Sequence, residues 1–100
     1  MANLRKIKKD ITFLVSEVIL DCYLFWDFHP DVKEQDVKDI VYEALNLRSS
    51  LYLRVNAAPK EGAKQHYRAI SKDLHDGVEN LFGRISTLSS GGEAVAEQAV

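Results

Sequence analysis

Little in this sequence interrupts a helix. Pro30 and Pro59 are the only prolines in 100 residues, and the five glycines are thinly spread. Proline fixes φ and removes a backbone donor, so these two positions divide the chain into three long segments. A Gly-Gly pair follows Ser90. No internal repeat is evident. A lone cysteine, Cys22, excludes an internal disulfide. It lies in the apolar run ILDCYLFW, where it reads as a small buried hydrophobe, and a reducing compartment fits best. Neither charge sign dominates: 13 basic residues face 15 acidic ones, a net of −2. Nothing global draws the chain to nucleic acid or to an anionic membrane. No long apolar run is free of charge either. Glu17, Asp21 and Asp27 interrupt the first one, and each would cost about 2.5–3.5 kcal/mol at a bilayer centre. The basic start MANLRKIKKD is followed by no small-residue cleavage site, so it does not read as a signal peptide. The expectation is a soluble cytoplasmic protein with no membrane partner.

Reactive chemistry is also missing. Di-iron bundles need Glu-x-x-His on two helices plus two further glutamates, and no Glu-x-x-His occurs here. His66, His75, Asp76 and Glu79 therefore read as a solvated helix surface, and no metal is expected. Asp36, Asp39 and Glu43 read as a solvated acidic edge. Cys22 follows Asp21 and has no Lys or Arg within ten residues. A neighbouring negative charge raises a thiol pKa, the opposite of what a nucleophile requires. No strand precedes a Gly-rich loop, so no phosphate cradle is formed. The residue types point to no catalytic group and no cofactor.

What is present is helical periodicity. One hundred residues predict one domain able to bury a single core. The first segment runs from Asn3, a suitable N-cap, to Phe28, before the His29-Pro30 break. Leu4, Ile7, Ile11, Leu14, Val15, Val18, Ile19, Cys22, Phe25 and Trp26 recur on one face. In the second segment, Asp31 and Glu34 have capping-box spacing. Its stripe is Val37, Ile40, Val41, Ala44, Leu47, Leu51, Tyr52 and Val55, and Asn56 and Pro59 mark its end. The third segment starts near Glu61 or Gly62, with Ala63, Tyr67, Ile70, Leu74, Val78, Leu81, Phe82, Ile85 and Leu88 as its stripe. Three amphipathic rods of about 25 residues, joined by short connections, predict an all-α fold: an up-down-up antiparallel three-helix bundle. The domain is expected over 1–90, with a disordered tail over 91–100.

Two resemblances bear on function. His29-Pro30-Asp31 matches the tripeptide between the helices of J-domains, co-chaperones that stimulate a partner's ATPase. In that family the preceding helix is basic on its exposed side. Here SEVILDCYLFWDF carries three carboxylates and no Lys or Arg, so the tripeptide reads as a helix break followed by a cap. More broadly, KKDITFLVSEVILDCY, VYEALNLRSSLYLRVNAAP and ISKDLHDGVENLF together resemble small uncharacterised helical proteins of Bacteroidetes-type bacteria. That resemblance spans most of the chain and brings no activity with it.

Two features remain. Arg48 falls on the apolar stripe of the second segment, between Ala44 and Leu51. A guanidinium there must be paired or must snorkel. Glu17 lies near its level, so a buried Glu17–Arg48 pair is expected, with Tyr67 or Ser71 in support. The first segment also carries more apolar residues than one face requires. Phe13, Leu20, Leu24 and Phe28 form a second row, with Tyr23 beside it. An aligned exposed row points to association.

The function expected is a non-enzymatic interaction module that pairs with itself or with another protein, two bundles making a six-helix assembly. One alternative is a ligand-binding or enzymatic bundle around Arg48, Glu17 and Tyr67. The other is nucleic-acid binding through Arg5, Lys6, Lys8 and Lys9, which lack interleaved aromatics and read rather as a solvated helix start.

Overall fold

Three helices account for the fold: α1 is Leu4–Phe28, α2 is Glu34–Asn56 and α3 is Ala63–Gln98. The computed structural model describes residues 4–57 and 59–98, with side chains as far as Leu88. Asn3, the expected N-cap, lies outside the described residues. The backbone of α3 runs past Ser90, where the sequence places the start of a tail; the side chains of that stretch lie outside the described residues.

Every pair of helices is in contact, so the three close around one core. Apolar spacing is the cause. In α1 the buried residues are Ile11, Val15, Val18, Cys22 and Phe25; in α2 they are Val37, Ile40, Ala44, Leu51 and Val55. α3 adds Tyr67, Ile70, Leu74, Val78, Leu81 and Ile85. Each set advances by three or four residues, the step that keeps side chains on one side of a 3.6-residue helix. Leu4, expected on the stripe, is exposed at the start of α1. No polar or charged side chain is buried among the described residues.

Cross-helix bonds fix the antiparallel order. The Tyr52 hydroxyl, late in α2, meets the Thr12 hydroxyl and donates to the Lys8 carbonyl at 3.3 Å, both early in α1. Arg54, at the end of α2, pairs with Asp73 near the start of α3 at 2.7 Å. His66 donates from Nε2 to the Arg54 carbonyl at 2.6 Å, a second donor to an oxygen that also accepts the longer bond of the Ala57 N–H at 3.3 Å. Glu43, nearer the start of α2, pairs with Arg84 far along α3.

The turn at His29-Pro30-Asp31 is built differently from the capping box expected. His29 folds back on α1: its backbone N–H donates to the Phe25 carbonyl at 2.9 Å, and Nδ1 reaches the same oxygen at 3.0 Å. Its ring stacks on Phe25 with centroids 4.4 Å apart. Val32 N–H then donates to the His29 carbonyl at 3.1 Å. This turn consumes Asp31 before helical backbone begins. The N-cap residue of α2 is Lys33, extended at φ −62° and ψ 127°, with no side-chain cap bond. Glu34 pairs forward with Lys38 at 2.6 Å instead of reaching back.

The two glycines inside α3 differ in kind. A Cβ on Gly77 would lie 2.8 Å from Leu47 Cδ2, so α2 approaches the backbone there. A Cβ on Gly83 would meet nothing within 4 Å. Alanine is about 0.8–1.0 kcal/mol better than glycine inside a helix. Gly83→Ala should therefore stabilise the protein by about that amount, a rise in Tm of about 4–8 °C per kcal/mol. Gly77→Ala should gain less, because Leu47 must shift. Gly77→Val should cost about 1–3 kcal/mol as overpacking. Thermal unfolding of the three variants checks the ranking, and equal gains at both glycines would contradict the close approach.

Candidate functional site

The outward face of α1 follows from the inward one. Successive helix residues are turned by about 100°. Leu20 lies two positions from both Val18 and Cys22, which are buried, so it points to the opposite side. Phe13 stands in the same relation to Ile11 and Val15, and Leu24 to Cys22. α2 and α3 occupy the inward side and leave this row to solvent. Phe13 is 60% exposed, Leu20 53%, Leu24 47% and Phe28 79%; Tyr23, at 54%, lies towards α2. All five residues singled out from the sequence are thus open to solvent on one helix.

Two hollows border the row. On the α3 side, Leu24, Phe25 and Phe28 form a groove of about 540 Å³ with Phe82 and Ile85, with Asp21 and Ser86 also at its lining. On the α2 side, Tyr23 and Trp26 line a smaller hollow of about 240 Å³ with Val37, Val41, Lys38 and Tyr42. The face is therefore an apolar ridge with a wide, open apolar trough next to its C-terminal end. Charge is graded along it. Arg5 and Lys9 are exposed near the start of α1, and Asp27 and Asp31 are exposed at and beyond its end. Lys6 pairs with Asp10 at 2.9 Å.

The polar constellation expected around Arg48 is not assembled. Glu17 is exposed on α1, because it precedes buried Val18 by one residue and is turned about 100° from it. No ion pair joins Glu17 to Arg48 among the described residues. Arg48 is half-buried, with its guanidinium carbon 4.9 Å from the centroid of the Tyr52 ring one turn ahead. It snorkels along α2 and gains a cation–π contact. Tyr67 is buried with the ring of His66 edge-on to it at 5.6 Å. The polar link sequence reasoning missed is the bond between the hydroxyls of Tyr52 and Thr12; Tyr52 read as one more member of an apolar stripe. Pairing with a residue 40 positions away leaves no local signal.

The histidines serve the fold. His66 bonds the Arg54 carbonyl, and His75 Nδ1 bonds the Ser71 carbonyl at 2.8 Å. Asp76 is engaged by Lys72 at 2.8 Å. Among the described residues, no group of three or more His, Cys, Asp or Glu is placed to hold a metal ion. The acidic edge of α2 is partly engaged, since Asp39 accepts from Gln35 at 2.8 Å and Glu43 pairs with Arg84.

Cys22 is buried as a free thiol. Burial first, then the Asp21 carboxylate, push it up from 9.0 to about 11, and Arg84 acts in the opposite sense. Raising the folded-state value favours the neutral thiol in the native protein. The stabilisation is complete below pH 9 and is lost as pH rises towards 11, because the unfolded thiol ionises first. An aromatic disulfide reagent at pH 8 should therefore label Cys22 only as fast as the protein opens. Fast stoichiometric labelling of native protein would contradict this account.

Among the described residues, no helix is long and apolar enough to cross a membrane. Comparison of the chain with protein-family models, with curated proteins and with solved structures finds no match.

Proposed function

We propose that this protein is a non-enzymatic interaction module whose docking face is the outward row of α1. One observation carries the reading: four large apolar side chains, Phe13, Leu20, Leu24 and Phe28, stand about half exposed or more, aligned on the side of α1 opposite its core residues. Scattered exposed hydrophobes are ordinary, but an aligned patch of this size is the mark of an interaction surface. Removing it from water gains about 25 cal/mol per Å². This reading is favoured over a polar site around Arg48, whose guanidinium lies over the Tyr52 ring while Glu17 is exposed on α1. A reducing cytoplasm suits a protein whose one cysteine is a buried thiol.

Leu20→Glu is the test. The new carboxylate faces solvent, so the variant should keep its helical circular dichroism and a Tm within a few degrees of wild type. It should also lose association, read by light scattering for self-pairing or by pull-down for another protein. Unfolding of the variant would place Leu20 in the core and defeat the reading, and so would association at wild-type strength.

A further inference from the structure

We infer that the occupant of this face is a second copy of the chain, laid antiparallel across it, with Phe13 of each copy seated in the groove beside Phe28 of the other. The inference rests on α1 being the docking face and adds the identity and direction of the partner.

Shape is the first argument. Phe13 is a ridge residue that stands 60% exposed, and the larger of the two apolar hollows bordering the C-terminal half of the row lies between Leu24 and Phe28 of α1 and Phe82 and Ile85 of α3. One chain thus presents both a knob and a hole, about 13 residues or 20 Å apart along α1. A twofold axis midway between them makes each knob meet the other copy's hole. That midpoint falls at about Leu20, itself exposed and apolar, so the two Leu20 side chains close the centre. Such an isologous contact is closed and needs no third copy.

Charge is the second argument, and it selects the direction. About this midpoint, Lys9 of one copy lies level with about residue 30 of the other, between the exposed carboxylates Asp27 and Asp31. A parallel pairing would set lysine against lysine and aspartate against aspartate. Glu17 and Asp21 flank the midpoint in either arrangement and do not choose between them.

Area is the third. The exposed parts of Phe13, Leu20, Tyr23, Leu24 and Phe28 amount to about three whole side chains. At roughly 200 Å² each, that is about 600 Å² per copy. Two copies reach about 1,200 Å², the lower bound of stable specific interfaces, before the flanking charged residues are counted.

The test uses the full chain. Ser16 and Tyr23 lie at equal distances from the midpoint, and both are exposed. Ser16→Cys and Tyr23→Cys proteins are mixed, oxidised mildly and read by mass spectrometry, with association followed by sedimentation up to high micromolar concentration. Buried Cys22 should not compete. The antiparallel pair predicts a dominant mixed disulfide between position 16 of one copy and position 23 of the other. Phe13→Ala should weaken the dimer about tenfold or more, as an anchor residue does. Links of 16 to 16 and 23 to 23, in a dimer that Leu20→Glu dissociates, would overturn the antiparallel pairing and leave the docking face standing. A dimer indifferent to Leu20→Glu would overturn both. A wild type that stays monomeric overturns the self-pairing; if it then sediments with anionic phosphatidylserine vesicles, the face belongs to a lipid surface instead.

Discussion

Val18→Glu should unfold this protein, while Leu20→Glu should leave it folded. The two positions are two residues apart and carry aliphatic side chains of similar size. Val18 has no exposed surface, at the centre of the core face of α1. It belongs to the same buried core as Val15 and Cys22, one turn to either side of it on α1, and no polar side chain is buried among the described residues. A glutamate at 18 has no donor to meet. It must stay ionised without a partner, take up a proton at a cost in free energy, or force the helices apart. Each route costs several kcal/mol, and a domain of this size has about 5–15 kcal/mol to lose. The expected result for Val18→Glu is weak helical circular dichroism at 25 °C and no cooperative thermal transition. A cooperative Tm within a few degrees of wild type would show that α1 is rotated differently from the structure described. Leu20 is turned about 160° from Val18 by the shorter way round the helix, so its carboxylate enters water.

A second large effect separates Leu51 from Leu53 in α2. Leu51 is 1% exposed and Leu53 71%. Leu51→Ala removes buried methyl groups and leaves a space that the three packed helices cannot fully close. Such substitutions cost about 2–5 kcal/mol, the transfer free energy of the lost groups plus the cavity. Leu53→Ala exchanges surface for surface and should stay within about 0.5 kcal/mol. Urea unfolding checks both: the midpoint for Leu51→Ala should fall sharply with little change in slope. Equal midpoints for the two variants would mean that α2 does not present Leu51 to the core.

These contrasts also mark how far the sequence could be read. Core membership was legible because it is a local property: a residue's side of a helix follows from its neighbours three and four positions away. Among the described residues, every buried residue of α1, α2 and α3 lies on a stripe visible in the sequence, and Phe13, Leu20, Tyr23, Leu24 and Phe28 lie off it and are exposed. The two breaks between the helices were legible for the same reason, though the cap of α2 and the end of α3 were not. Pro30 forbids continuation beyond His29, and Gly62, at φ +73°, supplies a left-handed residue just before Ala63.

The pairing of side chains between helices was decided only by the tertiary structure. Glu17 and Arg48 share a level along the bundle, but a pair also depends on how each helix is rotated about its own axis. That rotation is set by packing all three stripes at once, and it turns Glu17 outward while Arg48 lies along Tyr52. The cap of α2 passed from Asp31 to Lys33 because the turn closed through Val32 and His29, a choice among backbone bonds of similar strength. Tyr52 with Thr12, Arg54 with Asp73, and the groove between Phe28 and Phe82 all join residues 19 or more positions apart. Periodicity carries no information across such a gap. The sequence by itself determined three helices, their breaks and the side of each that is buried, since these depend on contacts within a few residues. The tertiary structure decided which polar groups meet and where a trough opens beside the outward row of α1, since these depend on the rotation and axial offset of whole helices.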